Sequence, residues 1–370
     1  MRRMRIVVKI GSSSLTNKQG QLSSDKMACL VEQIASVQST GEYQMILVSS
    51  GAVAAGLSKL GWPRSHITMP EKQAAAAVGQ GLLIERYQKL FAEKGMGTAQ
   101  LLLTRSDIED RKRFIHIRNT AETLLRHGII PIVNENDTVA VDEIRFGDND
   151  TLGSLVALMT EANLLVLLTD IDGLYTANPK ENVSARRIPQ VWKITPEMEA
   201  AASDSGSPVG TGGMRTKLAA ARMAVDSGID VVIASSSEPN VLQKILEGKS
   251  VGTRFHSKQR LSGKKSWIAY GTRTEGTLMI DPGAVFALVK QTASLLLGGI
   301  TKVEGDFHEG SVVEIAAPDG RRIGKGMVSF SAVDLRILLE RRQRGEKFHN
   351  IHEVIHRDAM VILVREENLV

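Results

Sequence analysis

A glycine-rich loop that ends in a lysine is the stretch of this sequence whose residues most clearly could do chemistry. It reads Gly210-Thr211-Gly212-Gly213-Met214-Arg215-Thr216-Lys217, and strong helix formers follow it. Such a loop can close round a phosphate group, because a helix N-terminus offers unpaired N–H groups and glycine has no Cβ to obstruct them. The same residues are also typical of a flexible turn before a helix. The loop matches neither the Walker pattern nor Gly-x-Gly-x-x-Gly, so a phosphate site here would belong to another class of nucleotide fold.

Short polar stretches follow several of the predicted strands. In chain order they are Lys9 to Gly11, Ser50-Gly51, Asn134-Glu135-Asn136-Asp137, Gly147-Asp148-Asn149-Asp150 and Thr169-Asp170. Each alone is typical of any loop, and the stretch 148–151 is also typical of a helix N-cap. In open parallel sheets, however, ligands bind beyond the carboxyl ends of the strands. We therefore expect these stretches to share one edge of a sheet and to form a site there.

The elements that must position these residues alternate between strand and helix through about residue 250. This alternation predicts an α/β fold, a three-layer αβα sandwich with a mainly parallel sheet. The polar residues 11–14 are expected to form a loop, and residues 252–273, rich in glycine and charge, an exposed linker. Later apolar stretches are separated by turn signals such as Asp281-Pro282-Gly283 and predict a small β-rich domain. We divide the chain into a first domain (1–255), a linker (256–275), a second domain (276–355) and a tail (356–370).

The composition limits the classes of function. Of 370 residues, 42% are apolar and 24% charged, which is typical of a globular protein with a core. No apolar run approaches the roughly 18 residues of a membrane span, and we expect no signal peptide. The lone cysteine, Cys29, has no partner for an internal disulfide and indicates a cytoplasmic protein, and its amphipathic helix pattern predicts a core position. The net charge of +5 is too small to indicate nucleic-acid binding.

Taken as a set, the motifs resemble those of the amino acid kinase family. The resemblance rests on residues 8–13, 48–56, 133–137, 147–150 and 210–217, in the family's order. Each motif is weak alone, but the set is highly specific. From residue 276 onwards, residues 281–284, 295–300 and 305–310 resemble a PUA domain. The two resemblances together cover nearly the whole chain.

The resemblance implies an enzyme that moves the γ-phosphoryl group of ATP onto the side-chain carboxylate of L-glutamate. The product would be L-glutamyl 5-phosphate, formed in the first step of proline biosynthesis. Lys9 and Lys217 would be catalytic cations on opposite sides of the transferred group, held in position by Asp150. The implied substrate-binding residues are Ser50, Asp137 and Asn149, with Asn134 and Asp148 close by. The implied nucleotide-binding residues are Lys9, Thr169, Asp170, Thr211, Gly212, Gly213, Met214, Arg215, Thr216 and Lys217.

Mg²⁺ is expected to bridge the phosphates of ATP with few protein ligands, because it keeps several of its waters. We expect no separate metal site. The spacing of His349, His352 and His356 resembles that of metal ligands, but no other ligand cluster accompanies them in the sequence.

Alternatives of other kinds remain open from the sequence. PUA folds usually accompany RNA enzymes, but an aromatic content of 4% and a mild charge argue against base stacking, so RNA binding is not expected. Other amino acid kinases act on aspartate, carbamate, N-acetylglutamate or UMP, and the PUA-like tail argues against each by resemblance alone. We expect a homo-oligomer, a dimer or a tetramer, with functional coupling to glutamyl-5-phosphate reductase and no membrane partner.

Overall fold

The computed structural model describes residues 3–17, 21–63, 65–139, 148–179, 181–203, 213–257, 261–346 and 353–364. Within it the chain divides into two compact units, Met1–Leu261 and Ser262–Val370. Each unit has its own sheet and its own hydrophobic core. Of the helices in the described part of the chain, none combines the length and the apolar character that crossing a bilayer requires.

An eight-stranded sheet forms the centre of the first unit. Its strands are β1 (Met4–Ile10), β2 (Tyr43–Ser49), β3 (Thr98–Leu103), β4 (Ile130–Glu135), β5 (Leu164–Thr169), β6 (Gln190–Val191), β7 (Asp230–Ser235) and β8 (Thr253–Phe255). Their order across the sheet is β3-β4-β2-β1-β5-β7-β8-β6. Neighbouring strands are parallel except β7 and β8, which pair antiparallel. The predicted mainly parallel sheet is confirmed.

Helices cover both faces of this sheet, as predicted. They are α1 (Ser12–Leu15), α2 (Ser24–Ser39), α3 (Ala52–Leu60), α4 (Met69–Ala92), α5 (Arg105–Glu109), α6 (Arg111–Arg126), α7 (Asn149–Met159), α8 (Pro196–Ser203), α9 (Met214–Asp226) and α10 (Val241–Leu246). Helices α2, α4 and α10 pack on one face and contribute to one core cluster. Helices α6, α7 and α9 pack on the other face.

Strand β1 shows how the sequence produces these layers and places a lysine at the edge of the sheet. Ile6, Val8 and Ile10 belong to the core cluster shared with α2, α4 and α10. Alternate residues of a strand point to opposite faces, so Lys9 points towards α7. A Cβ on Gly153 of α7 would lie 3.2 Å from the Lys9 Cβ, which shows how closely the helix covers the lysine stem. The strand therefore holds a lysine near its carboxyl end while its other face fills the core.

A five-stranded sheet forms the centre of the second unit. Its strands are β9 (Gly276–Ile280), β10 (Ile300–Gly305), β11 (Val312–Ala316), β12 (Arg322–Met327) and β13 (Met360–Ile362), in the order β10-β9-β11-β12-β13. The helices of this unit are α11 (Gly263–Ser266), α12 (Pro282–Lys290) and α13 (Ala332–Gln343). Leu278, Ile315 and Leu335 are fully buried members of its core. The predicted small β-rich domain is confirmed.

Two expectations about irregular segments are wrong. Residues 11–14 do not form a simple loop, because Ser12 to Leu15 form a short helix that lies over the sheet and buries Leu15. The segment expected to be an exposed linker contains α11 and a π-helical turn, Trp267–Gly271, in which Trp267 is 5% exposed. The free energy gained by burying the large apolar ring of Trp267 outweighs the preference of the surrounding glycines and charged residues for an exposed loop. The boundaries drawn for the domains stay a prediction.

Two further expectations fail for local reasons. The sequence Asp281-Pro282-Gly283 starts helix α12 and is not a turn, because Asp281 caps the N–H of Ala284 and Pro282 suits the first helical position. Cys29 is exposed on α2. Met27 and Leu30, on either side of it, belong to the core, so the apolar stripe of the helix does not include Cys29.

Two glycines bring helices α3 and α4 into unusually close contact. A Cβ on Gly56 would lie 1.7 Å from the carbonyl oxygen of Ala75, and a Cβ on Gly79 would lie 1.8 Å from that of Ala52. The two backbones therefore approach more closely than any larger residue allows. This contact fixes the start of α3, which directly follows Ser50 and Gly51, against the middle of α4.

The substitution Gly79→Ala should lower the free energy of unfolding by about 2 kcal/mol or more, because the new Cβ forces the helices apart. The matched control is Gly81→Ala on the same helix, where a Cβ would meet no atom within 4 Å. Alanine should stabilise that exposed position by up to about 1 kcal/mol through its helix propensity. Urea unfolding of both variants and the wild type measures the difference. Equal stabilities for the two variants would contradict the close contact.

Candidate active site

The carboxylate of Asp150 lies between two lysine ammonium groups. Lys9 Nζ is 2.5 Å from Asp150 Oδ1, and Lys217 Nζ is 3.1 Å from Asp150 Oδ2. The exposed fractions of Lys9, Asp150 and Lys217 are 5%, 1% and 6%, so all three charges are nearly excluded from solvent. The three residues that the sequence singled out for catalysis are thus brought together, with each lysine on its own oxygen of one carboxylate. Their formal charges sum to one positive charge.

Three elements meet to form this cluster. Lys9 comes from the end of β1, Asp150 from the first turn of α7, and Lys217 from the first turn of α9. Thr216 also donates its hydroxyl to Asp150 Oδ2, at 3.3 Å. Helix α9 begins at Gly213 without a side-chain cap. Its N-terminus therefore lies beside the lysines with N–H groups that can bind an anion.

The pKa values of the neighbouring carboxyl groups of Asp150 and Asp148 are shifted in opposite directions by their surroundings. Burial alone would raise the pKa of Asp150, but Lys9 and then Lys217 outweigh it and hold that pKa below its ordinary value. Burial, followed by the nearby charge of Asp150, raises the pKa of Asp148. Asp148 also accepts from the N–H of Thr151 at 2.7 Å and caps α7, so the N-cap interpretation of this stretch is correct as well.

A second polar cluster lies at the carboxyl ends of β2 and β4. Asn149 Nδ2 lies 2.7 Å from Ser50 Oγ, 3.0 Å from the carbonyl oxygen of Ser49 and 3.1 Å from Asn134 Oδ1. Asn134 is buried and Asn149 half-buried. Three of the predicted substrate residues, Ser50, Asn134 and Asn149, are therefore joined by hydrogen bonds. Asn149 directly precedes Asp150, so the two clusters share the first turn of α7.

The structure places the remaining predicted substrate and nucleotide residues at the same edge of the sheet or outside the part that it describes, and His356 in the second unit. Asp137 is half-buried in the turn after β4, where it has an interaction of its own. Thr169 ends β5 and donates to the carboxylate of Asp170 at 2.9 Å. The start of α9 is formed by Gly213, Met214, Arg215 and Thr216.

The described part of the chain does not include Gly147, Gly210, Thr211, Gly212, His349 and His352. His356 is exposed and caps a 3₁₀ turn.

Sequence reasoning missed Gln80, which contacts this second cluster from helix α4. Gln80 is 9% exposed, and its Oε1 accepts from Asn134 Nδ2 at 2.7 Å. No local signal marks it, because it lies among alanines and glycines in the middle of a long helix. The packing of α4 on the sheet and against α3 brings it to the site.

Comparison with known proteins assigns the chain to a family. The amino acid kinase family model matches residues 4–235, and the PUA domain model matches residues 276–352. This chain belongs to the amino acid kinase family. The resemblance seen in the sequence motifs is thereby confirmed for both parts of the chain.

Two relatives that are similar over nearly the whole chain are glutamate 5-kinases. The glutamate 5-kinase of Moorella thermoacetica is 46% identical over 97% of this chain and 96% of its own length. The glutamate 5-kinase of Geobacillus thermodenitrificans is 48% identical over 99% of each chain. A solved UMP kinase from Ureaplasma parvum covers 70% of this chain and 100% of its own, with a TM-score of 0.47 and 19% identity.

Replacing Asp150 by asparagine should lower the free energy of unfolding at neutral pH by about 3 kcal/mol or more, since two buried ammonium groups lose their counter-ion. The pKa of Asp150 in the folded protein lies below its ordinary value of 3.8. Its stabilisation is therefore present above that pH and is lost as the pH falls below it. The difference in stability between the wild type and Asp150→Asn should shrink in acid.

Asp148→Asn is the matched control, because its pKa shift has the opposite sign. Asparagine caps a helix as well as aspartate, and losing this charge removes a repulsion with Asp150. We expect a change within about 0.5 kcal/mol, or a slight gain. Urea unfolding between neutral and acid pH measures both variants. Equal destabilisation by the two substitutions would show that the Asp150 cluster has no special electrostatic role.

Proposed function

We propose that this chain transfers the γ-phosphoryl group of ATP to the side-chain carboxylate of L-glutamate and releases L-glutamyl 5-phosphate, in the first step of proline biosynthesis. The similarity to glutamate 5-kinases over nearly the whole chain supports this substrate pair. The observation that carries the mechanism is the buried cluster of Lys9, Asp150 and Lys217, whose charges sum to one positive charge. Two lysine ammonium groups beside one carboxylate favour the binding of a phosphoryl group, which is negatively charged.

The chemistry requires charge neutralisation and alignment and needs no general base. A glutamate side chain has an ordinary pKa of about 4.3, so it is already an anionic nucleophile at neutral pH. The attacking carboxylate and the phosphates of ATP repel each other, and the two lysines are proposed to offset that repulsion in the transition state. Asp150 is proposed to hold both ammonium groups in place.

The nucleotide is proposed to bind along β5 and the start of α9. Thr169 ends β5, next to the strand that carries Lys9, and Asp170 follows it. Gly213 to Lys217 offer the uncapped N–H groups of α9 and two side chains that contact Asp150. Thr211 and Gly212 precede this turn in the sequence and are proposed to complete the phosphate loop. The positive end of the helix dipole supports phosphate binding there.

Glutamate is proposed to bind at the second polar cluster, one residue from the lysine-bound carboxylate. Ser50 and Asn149 would contact the amino acid, with Asp137 and Asp148 close to its ammonium group. Asn134 is 2% exposed and contributes by holding Asn149. Because Asn149 and Asp150 are consecutive in one helical turn, the acceptor carboxylate of a bound glutamate can reach the lysines.

Magnesium is proposed to enter as the complex of Mg²⁺ with ATP. Both carboxylate oxygens of Asp150 already accept from lysine ammonium groups, so this residue does not fit a role as a metal ligand. Among the described residues, no three His, Cys, Asp or Glu side chains group as a metal site would require. Phosphate oxygens and water would therefore supply most of the magnesium ligands.

The expected partners stay proposals. The family resemblance suggests a homo-oligomer, either a dimer or a tetramer. It also suggests a functional link to glutamyl-5-phosphate reductase. There is a chemical reason for such a link, because an acyl phosphate hydrolyses in water unless a second enzyme consumes it. A cytoplasmic location rests on the lone cysteine.

An assay that traps acyl phosphates with hydroxylamine tests the proposed reaction. With ATP and magnesium, L-glutamate should give hydroxamate at a rate about tenfold or more above that of L-aspartate, which is one methylene shorter. N-acetyl-L-glutamate and carbamate should give background signal, and UMP should release no ADP. Reactions without ATP provide the control. A higher rate with aspartate or N-acetylglutamate, or ADP release with UMP alone, would contradict the proposal.

A further inference from the structure

Gln80 contacts the glutamate cluster from outside the loops that form it. It lies on α4, whereas Asn134 lies near the end of β4 and Asn149 begins α7. Its carbonyl oxygen accepts from Asn134 Nδ2 at 2.7 Å in a buried environment. Gly79, the preceding residue, packs against the Ala52 carbonyl, two residues after Ser50. The position of Gln80 is therefore fixed relative to the same turn that supplies the Ser50 hydroxyl.

Two backbone groups determine which way the two asparagine amides face. The N–H of Glu135 can only donate, and it lies 2.9 Å from Asn134 Oδ1. The carbonyl of Ser49 can only accept, and it lies 3.0 Å from Asn149 Nδ2. With Asn134 oriented in this way, its amide nitrogen faces α4 and requires an acceptor there. Gln80 supplies that acceptor in the interior, where an unpaired N–H would be costly.

Asn149 retains one acceptor and Ser50 one donor that can bind a ligand. Asn149 Nδ2 has two hydrogens and three nearby acceptors, Ser49 O, Ser50 Oγ and Asn134 Oδ1. Its Oδ1 makes no hydrogen bond within the described part of the chain, so this atom is what Asn149 can offer to a ligand. Ser50 Oγ accepts from Asn149, which leaves the hydroxyl hydrogen to be donated.

We propose that Gln80 is a positioning residue that completes the Gln80–Asn134–Asn149 relay, whose polarity the two backbone groups set, so that Asn149 presents its carbonyl oxygen to the ammonium group of the amino acid substrate. Ser50 then donates to the substrate α-carboxylate. This inference rests on the proposed function and deepens it, because it states how the site distinguishes an amino acid from a plain dicarboxylate. Glutarate has both carboxylates of glutamate and lacks only the ammonium group.

Steady-state kinetics with glutarate as a competitive inhibitor tests the relay. In Gln80→Met, which has similar size and no strong acceptor, the KM for glutamate should rise about tenfold, the effect of one buried unpaired N–H. The inhibition constant of glutarate should stay within about twofold and kcat within about threefold, because neither depends on the ammonium contact. Gln80→Glu keeps the acceptor and should restore most of the discrimination. Gln88→Met, at an exposed position of the same helix, is the matched control and should match the wild type.

Equal increases in the KM for glutamate and the inhibition constant of glutarate would assign Gln80 a general structural role and overturn the proposal. An unchanged KM for glutamate in Gln80→Met would overturn it as well. If Gln80→Met does not fold, Gln80→Ala provides the same comparison and is judged by the same ratio. Failure of the proposed function has a separate signature, because the wild type would then form no hydroxamate from glutamate.

Discussion

The charge of Asp150 can persist in the interior of the first unit only because two ammonium groups flank it. A carboxylate that is 1% exposed would otherwise take up a proton. Within the cluster, two ammonium groups and one carboxylate sum to one positive charge. A cluster with this charge that is nearly closed to water is suited to an anion that binds, reacts and leaves.

The fold determines where that cluster can form. β1 must place core residues on one face and Lys9 on the other, and α7 must pass close enough to cover the lysine stem, which Gly153 permits. The same helix carries Asn149 towards the β2 and β4 ends and Asp150 towards β1. One helical turn thus links the proposed glutamate and phosphoryl positions. The glycine contact between α3 and α4 supports this turn from the other side through Ser50 and Gln80.

Much of this arrangement could be predicted from the sequence. Lys9 was identifiable because it begins one of the polar stretches that follow predicted strands, and the alternation of strands with helices indicated the layered fold. The motif set alone predicted that Asp150 and Lys217 belong to one site. The local propensities could not show that both lysines share one carboxylate, since that depends on how three separate elements pack.

What the sequence did not reveal depends on contacts between distant segments. Gln80 has no distinguishing neighbours, and its role follows from the backbone of Ser49 and Glu135 at other strand ends. Trp267 is buried in a segment whose glycines and charges indicate exposure, and Cys29 falls between the core positions of its helix. β8 pairs antiparallel with β7, although helix α10 lies between the two strands in the chain. Each of these features is decided by tertiary packing.

Lys9 and Lys217 are proposed to stabilise the transferred phosphoryl group, and binding of a transition-state mimic is the most direct test of this role. Calorimetry would measure the affinity for ADP with magnesium and glutamate, with and without aluminium fluoride, in the wild type, Lys9→Met and Lys217→Met. Aluminium fluoride should strengthen binding to the wild type by about a hundredfold or more. Both variants should lose that enhancement, and by a larger factor than any loss of affinity for ADP. Retention of the full enhancement in either variant would contradict the role of that lysine.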